Sequence, residues 1–198
     1  MKLLIATSNS GKITEIRSLL REMTIDLVIP EEIGILTVPE ETGSTYLENA
    51  ILKARFYYDQ SHLPSLADDT GLEVDSLGGQ PGLHSARFVS IENASDIDRR
   101  KLLLEKLNRK PKPWSAHFIC IVALSDSNGE IFTATGQCDG EIITEERGMN
   151  GFGYDPIFLF PHLGKTMAEL NLEEKNQVSH RALAVKAIIP QLSGMSSV

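Results

Sequence analysis

Four carboxylates lie within a ten-residue stretch that begins in apolar residues: Asp68, Asp69, Glu73 and Asp75. Carboxylates repel one another and are costly to bury unless a cation lies between them. The usual cation for such a cluster is Mg²⁺, which takes oxygen ligands and bridges to the phosphates of a substrate. The alternative is a strand that leaves the core into a polar turn with its acids solvated. This segment taken alone favours that alternative.

A polar turn near the N-terminus offers a second chemistry, the binding of phosphate. It contains Thr7, Ser8, Asn9, Ser10, Gly11 and Lys12. The turn lies between a predicted strand and a predicted helix, where backbone N–H groups and the helix dipole favour an anion. It is not a Walker A loop, which would need glycine at Ala6 and a hydroxyl at Ile13. An ordinary polar helix cap is an equally good interpretation of the same residues.

The composition limits the class of protein. A chain of 198 residues with 41% hydrophobic and 23% charged residues is typical of a globular protein, and we expect one domain over residues 1–198. Its formal charge of -8 argues against nucleic acid as a partner, because broad attachment to nucleic acid needs a basic face. A compact site for a small anionic ligand remains compatible with this charge.

The N-terminal segment and the cysteines indicate the compartment. The apolar stretch at residues 3–6 is too short for a signal peptide or a membrane span. We therefore expect a cytoplasmic protein, no membrane partner, and reduced thiols at Cys120 and Cys138. The five histidines are scattered without zinc-ligand spacing, so a zinc site is not expected.

Elements that could position these residues follow from periodicity and cap signals. Helices are predicted after the polar turn, after Thr45, after Ser95 and near the C-terminus, and strands at residues 2–6, 66–75, 118–124, 131–135 and 141–143. Helices and strands interleave, but Asn128-Gly129 indicates an embedded hairpin. The fold class is therefore α/β, with a mixed sheet flanked by helices rather than a purely parallel one.

Seven short segments, each weak alone, occur in the order found in one enzyme family. They are residues 6–12, 40–43, 48–54, 67–72, 81–87, 151–156 and 174–181. With these segments the chain resembles the inosine triphosphate pyrophosphatase family, whose members hydrolyse non-canonical purine nucleoside triphosphates. The departures are Ser8 for glycine or histidine, Thr70 for serine, His84 for tyrosine, and the loss of the family's small pair after Phe88.

The resemblance implies an architecture and a reaction. The fold would have two lobes with the nucleotide site in the cleft between them. The enzyme would depend on Mg²⁺ and convert ITP, dITP or XTP to the monophosphate and pyrophosphate. A homodimer is implied by the resemblance alone.

The resemblance also implies roles for the polar turn and the acids. The triphosphate would bind to residues 7–12, with Thr70 a further substrate contact. Asp69 would be a Mg²⁺ ligand and the base that activates water. Glu40 would be the second acidic ligand, with Glu41 a near rival and Asp68 also possible. Lys53 would add positive charge, although a solvated surface lysine is nearly as good an interpretation.

The implied base pocket consists of Phe152, Gly153, Tyr154, Asp155, Lys175, Ser179, His180 and Arg181. An aromatic ring such as that of Phe152 can stack on a purine; alternatively, Phe152 and Tyr154 are core residues. Lysine and arginine only donate hydrogen bonds, so they suit the 6-keto oxygen of hypoxanthine or xanthine and would meet the 6-amino group of adenine donor to donor. Guanine must be excluded at its 2-position.

Two other functions are compatible with parts of this pattern. A non-catalytic nucleotide sensor would keep the pocket, but it has less need of the acids at 40, 41, 68 and 69. A related pyrophosphatase for other modified nucleotides would share the chemistry and differ around Phe152 and His180.

Overall fold

The computed structural model describes residues 1–91 and 93–195. The strands are β1 (Lys2–Ile5), β2 (Asp26–Val28), β3 (Ser65–Val74), β4 (Trp114–Ser125), β5 (Ile131–Ile142), β6 (Phe158–Phe160) and β7 (Lys165–Thr166). The α-helices are α1 (Ser10–Leu19), α2 (Tyr46–Ser61), α3 (Asp96–Leu107), α4 (Leu172–Val178) and α5 (His180–Met195). Short 3-10 turns connect several of them.

The seven strands form one sheet in the order β2-β1-β3-β4-β5-β6-β7. Strand β1 pairs in parallel with β2 and β3, whereas β6 pairs antiparallel with β5 and β7. The predicted mixed α/β sheet is therefore confirmed.

The chain divides into two compact units. Unit 1 contains Met1–Asp69, Cys120–Gly136 and the chain from His180 onward; unit 2 contains Thr70–Ile119 and Gln137–Ser179. Each has its own apolar core. In unit 1, residues such as Leu3, Ile16 and Val185 are fully buried, and in unit 2 so are residues such as Leu103 and Phe158. The single domain expected from chain length stays a prediction.

Side-chain caps explain where the site-bearing helices begin. The Asn9 side chain accepts the Lys12 N–H at 3.1 Å at the start of α1. The Thr45 hydroxyl accepts the Glu48 N–H at 3.1 Å at the start of α2, as its sequence pattern predicts. Ser95 and Asp98 cap α3 reciprocally. These bonds satisfy N–H groups that have no partner within the helix.

Strand β5 is longer than predicted, because residues 131–135 and 141–143 are parts of a continuous element apart from the last residue. Gly136 and Gly140 interrupt its sequence pattern, but close packing requires both. A Cβ at Gly136 would lie 2.1 Å from the His180 carbonyl oxygen, and one at Gly140 would lie 2.5 Å from the Leu159 carbonyl oxygen. These glycines therefore mark close approach of backbones rather than a strand end.

Both cysteines, Cys120 and Cys138, are buried and are not joined in a disulfide bond. In the part of the chain that the structure describes, no helix is long and apolar enough to cross a membrane.

Candidate active site

The polar turn at residues 7–12 leads into α1 with its side chains largely accessible. Ser8, Asn9 and Ser10 are exposed, and Gly11 and Lys12 are half-buried. Thr7 Oγ1 accepts the Asn9 N–H at 3.2 Å, which folds the turn onto itself. The polar-cap interpretation holds for Asn9. It is compatible with phosphate binding, because an exposed helix N-terminus favours an anion.

Asp68 lies in β3 and is held by two cations. The Lys12 Nζ lies 2.9 Å from Asp68 Oδ2, and the Arg181 Nε and Nη2 each donate to the same oxygen at 3.2 Å. Burial by itself would raise the pKa of Asp68, but the charges of Lys12 and Arg181 outweigh it and hold that pKa well below its usual range. Asp68 is therefore a permanent anion that anchors its two partners.

Arg181 at the start of α5 also pairs with α1. Its Nη1 lies 2.5 Å from Glu15 Oε2, and both side chains are buried. Burial works to lower the pKa of Arg181, but Asp68 and Glu15 outweigh it and raise that pKa. The structure thus places Arg181 in an ion cluster of unit 1, and its role in reading a base stays a prediction.

The neighbouring acid, Asp69, shares a lysine with Glu41. Lys53 on α2 donates to Asp69 Oδ1 at 2.9 Å and to Glu41 Oε1 at 3.0 Å, and Asn49 Nδ2 donates to Asp69 Oδ2 at 3.3 Å. Lys53 is only 9% exposed, which excludes the solvated surface lysine. Although burial works to lower the pKa of Lys53, the charges of Asp69, Asp68 and Glu41 raise it.

The protonation of Asp69 differs from that of Asp68. Burial raises the pKa of the Asp69 carboxyl, and the Lys53 ammonium opposes this shift only in part, while Glu41 adds to it. A carboxylate with a raised pKa is a better proton acceptor than an ordinary aspartate. Of the two adjacent acids, Asp69 has the environment of a general base.

Two of the acids could hold a Mg²⁺ ion if substrate phosphates and waters supplied its other ligands. Among the described residues there is no group of three or more His, Cys, Asp or Glu side chains that could hold a metal by themselves. Mg²⁺ commonly uses one or two carboxylates, several waters and substrate phosphates. Asp69 and Glu41 share one cation and so supply such a pair, whereas Glu40 is exposed.

The glycine-rich turn at residues 151–153 belongs to unit 2 and is built around Asp155. The buried Asp155 accepts the Phe152 N–H at 3.0 Å and pairs with Lys175 Nζ at 2.5 Å, both through Oδ2. A Cβ at Gly151, whose φ is +74°, would lie 2.0 Å from that oxygen. Lys175 Nζ also lies 5.3 Å from the centroid of the half-buried Phe152 ring.

Tyr154 has the environment of a core residue. It is 4% exposed, packs in the apolar core of unit 2, and donates its hydroxyl to the Ser85 carbonyl oxygen at 2.9 Å. Burial raises the pKa of Tyr154, so the phenol remains neutral. The core alternative therefore describes Tyr154 but not Phe152.

The remaining predicted residues have varied environments. Ser179 is buried and ends α4, where its N–H donates to the Lys175 carbonyl oxygen at 2.9 Å. His180 is buried in unit 1, and Thr70 is half-buried in β3. The structure thus brings together Lys12 with Asp68 and Arg181, Lys53 with Asp69 and Glu41, and Phe152 with Asp155 and Lys175.

Sequence reasoning missed two buried contributors, Glu15 and Asn49. Glu15 lies one helical turn after Lys12, a spacing that places the two on one face of α1 but does not reveal burial. Asn49 lies inside a segment used for the family resemblance, and its amide also accepts the Gly43 N–H at 2.8 Å through Oδ1. Asn49 is a polar residue on the apolar side of a predicted helix, and this position was the signal that could have indicated its burial.

Comparison with known families accounts for almost the whole chain. The sequence profile of the Ham1 family matches residues 3–191. This chain belongs to the Ham1 family. The family membership inferred from the seven segments is thereby confirmed.

Individual Ham1 relatives are similar over nearly their full length. A protein named dITP/XTP pyrophosphatase from Haemophilus ducreyi is 47% identical, over 96% of this chain and 98% of its own. The structure of a HAM1 protein from Coxiella burnetii has a TM-score of 0.87 and 41% identity, covering 98% of this chain and 99% of that one. The Ham1 structure from Staphylococcus aureus has a TM-score of 0.85 and 39% identity, with the same coverage.

Proposed function

We propose that this Ham1-family protein hydrolyses dITP, ITP and XTP to the monophosphate and pyrophosphate, and so removes them from the nucleotide pool. The observation that carries the proposal is the Asp69–Lys53–Glu41 group: a base-like carboxylate and a second acid on one lysine. Similarity over almost the full chain to proteins named dITP/XTP pyrophosphatase supports the substrate class.

The polar turn, Lys12 and the acids account for the chemistry of the triphosphate. The exposed turn at residues 7–12 and Lys12 bind phosphate oxygens, with Thr70 a further contact. Asp69 accepts a proton from the attacking water as the new P–O bond forms and the bond to the pyrophosphate leaving group breaks. Mg²⁺, which Asp69 and Glu41 would hold, supplies positive charge against the charge that develops on the phosphates.

A second set of residues selects the base. Phe152 offers its ring for stacking, and Lys175 offers N–H donors that suit a 6-keto oxygen and oppose a 6-amino group. A site built on such polar pairing rejects the wrong analogue by roughly 10⁴-fold or more. Ser179, His180 and Arg181 complete the proposed set, with Arg181 acting from its buried pair with Asp68.

A substrate panel tests the reaction. Purified protein is incubated with Mg²⁺ and dITP, XTP, dATP or dGTP, and pyrophosphate and orthophosphate are measured separately. We expect pyrophosphate from dITP and XTP, with kcat/KM for dATP lower by roughly 10⁴-fold. Equal turnover of all four refutes the base selection, and release of orthophosphate alone refutes the reaction.

Three finer statements belong to the same proposal. Mg²⁺ is the working metal, because the donors are oxygens.

The protein is a homodimer, as the family resemblance implies, and light scattering after size-exclusion chromatography measures this directly. The reaction takes place in the cytoplasm, where the nucleotide pool lies, and cell fractionation with an antibody checks the location.

A further inference from the structure

Helix α3 holds both hydrogen-bonding groups of Gly153. The Gly153 N–H donates to Asp96 Oδ2 at 2.7 Å, and the Gly153 carbonyl oxygen accepts from Arg100 Nη1 at 2.8 Å. Asp96 and Arg100 are four residues apart and therefore lie on one face of the helix. Arg100 is 7% exposed and is itself fixed by Glu146, whose two carboxylate oxygens each lie 2.9 Å from a guanidinium nitrogen.

The peptide groups on both sides of Phe152 are fixed by the same arrangement. The Phe152 N–H donates to Asp155 Oδ2 at 3.0 Å, and the Phe152 carbonyl oxygen accepts the Asp155 N–H at 3.2 Å. The peptide that joins Phe152 to Gly153 is therefore held at its oxygen by Asp155 and at its N–H by Asp96. These bonds set the direction in which the Phe152 side chain leaves the backbone.

Without such bonds this turn would have wide conformational freedom. Gly151 and Gly153 flank Phe152 and have φ angles of +74° and +62°. Glycine adopts many other conformations as readily, so sequence alone does not hold the ring in one orientation. Burial would raise the pKa of Asp96, but hydrogen bonds from Arg99 and Gly153 outweigh it and lower that pKa. Asp96 therefore remains a charged acceptor at neutral pH, which strengthens its bond to the turn.

We propose that Asp96 and Arg100 are positioning residues that fix the Gly153 peptide, so that the Phe152 ring is presented in one orientation for stacking on the purine base. This inference rests on the proposed function. Neither residue touches the base. They act through Phe152, and their effect belongs to base binding rather than to the hydrolytic step at Asp69.

The first experiment separates binding from chemistry. In Asp96→Ala we expect the KM for dITP to rise about tenfold, the order of one base–aromatic stack, with kcat little changed. Asp96→Asn keeps an oxygen that can accept the Gly153 N–H and should restore most of the wild-type KM. Asp98→Ala is the matched control. Asp98 lies in the same first turn of α3 and accepts hydrogen bonds from the N–H and the hydroxyl of Ser95. Its removal should therefore weaken the start of the helix to a similar extent but leave the KM for dITP unchanged.

A double-mutant cycle with Phe152→Ala tests whether Asp96 affects KM through the Phe152 ring. If Asp96 acts through the ring, Asp96→Ala raises KM in the wild-type background and has almost no effect in the Phe152→Ala background. A purely structural role would raise KM, or lower stability, equally in both backgrounds. If Asp96→Ala does not fold, Arg100→Lys replaces it in the cycle. Lysine keeps the charge beside Glu146 but lacks the planar fork that reaches Glu146 and Gly153 together.

The outcomes distinguish this inference from the function on which it rests. Additive effects in the cycle, or a Phe152→Ala variant with wild-type KM, overturn the positioning role while pyrophosphate release by the wild type leaves the proposed function intact. A wild-type protein that releases no pyrophosphate from dITP or XTP overturns the proposed function and this inference with it.

Discussion

Asp68 and Asp69 are adjacent in one strand, yet their surroundings give them opposite chemistry. Burial works to raise the pKa of both acids, but at Asp68 the charges of Lys12 and Arg181 outweigh it and lower the pKa, whereas at Asp69 the opposing charges, chiefly that of Lys53, do not and the pKa is raised. Successive residues of a strand point to opposite faces, so neighbours in sequence can meet different partners. The family resemblance already implies Asp69 as the base, and the partners of the two acids give a physical reason to prefer it over Asp68.

Asp69→Asn removes the proposed base with almost no change in shape. We expect kcat to fall by about 10²–10⁴-fold, the usual contribution of a general base, while the thermal unfolding temperature stays close to that of the wild type. Steady-state pyrophosphate release from dITP and a thermal melt measure the two effects. Asp75→Asn, an exposed acid six positions along, should behave as the wild type. Wild-type kcat in Asp69→Asn would exclude Asp69 as the base.

The roles of Glu40 and Glu41 can be distinguished by the Mg²⁺ concentration that each variant requires for activity. Glu41 shares Lys53 with Asp69, whereas Glu40 is exposed. We expect Glu41→Gln to raise the half-saturating Mg²⁺ concentration by about tenfold or more, and Glu40→Gln to raise it much less, because removal of a metal ligand or its orienting partner costs that much. Turnover of dITP over a Mg²⁺ titration measures both. The reverse order would restore Glu40 as the second ligand, as the sequence analysis expected.

Among the elements, helices α1 and α5 and strand β3 meet through one buried ion cluster. Glu15 on α1 pairs with Arg181 on α5, and Arg181 pairs with Asp68 on β3. Removing one member of such a cluster leaves a charge buried without its full compensation. The packing of unit 1 therefore depends on the cluster being intact, and the cluster holds Arg181 in place.

Glu15→Ala tests this cluster. We expect the free energy of unfolding to fall by about 3–5 kcal/mol, measured by urea denaturation at neutral pH. Arg17→Ala on the same helix is the matched control. Arg17 pairs with Glu32 at 2.9 Å, but both side chains are largely exposed, so its removal should change stability little. Equal effects of the two substitutions would show that burial of the cluster contributes nothing.

Local signals predicted some elements well and missed others for identifiable reasons. Thr45 and Ser95 start helices as their sequence patterns predict, because a cap is a local interaction. The short helix α4 also has a capping box, Asn171 with Glu174, but its seven residues carry too little periodicity to stand out. The sequence predicts two strands where the structure has the single strand β5. The reason is that Gly136 is required by close packing against α5, which begins 44 residues further along the chain and leaves no local signal.

For the whole molecule, the sequence predicted the mixed sheet and the family, while the pairing of site residues required the structure. The family resemblance implies a role for each residue but not its contacts, and it assigned Arg181 to the base pocket. The structure pairs it with Asp68 and Glu15, and long-range ion pairs of this kind leave no local sequence signal. Lys53 was equally ambiguous until its burial beside Asp69 and Glu41 was known.

The fold should not depend on the Mg²⁺ ion that we propose for the reaction. Asp69 and Glu41 already share the positive charge of Lys53, and the described residues hold no three-ligand cluster that needs an ion to form. We expect EDTA to abolish turnover while the thermal unfolding temperature of the nucleotide-free protein changes by less than about 2 °C, the smallest shift expected for 1 kcal/mol in a chain of this size. Added Mg²⁺ should restore activity. A large drop in unfolding temperature would reveal a structural metal.

The turn around Phe152 has a consequence for the design of inhibitors. The N–H and C=O groups of Phe152 and Gly153 already have protein partners, so a compound that seeks a hydrogen bond there must displace one of them. The accessible feature is the ring, with the Lys175 charge near one face. A flat, electron-rich heterocycle should therefore gain more affinity at this turn than an amide or a urea of the same size.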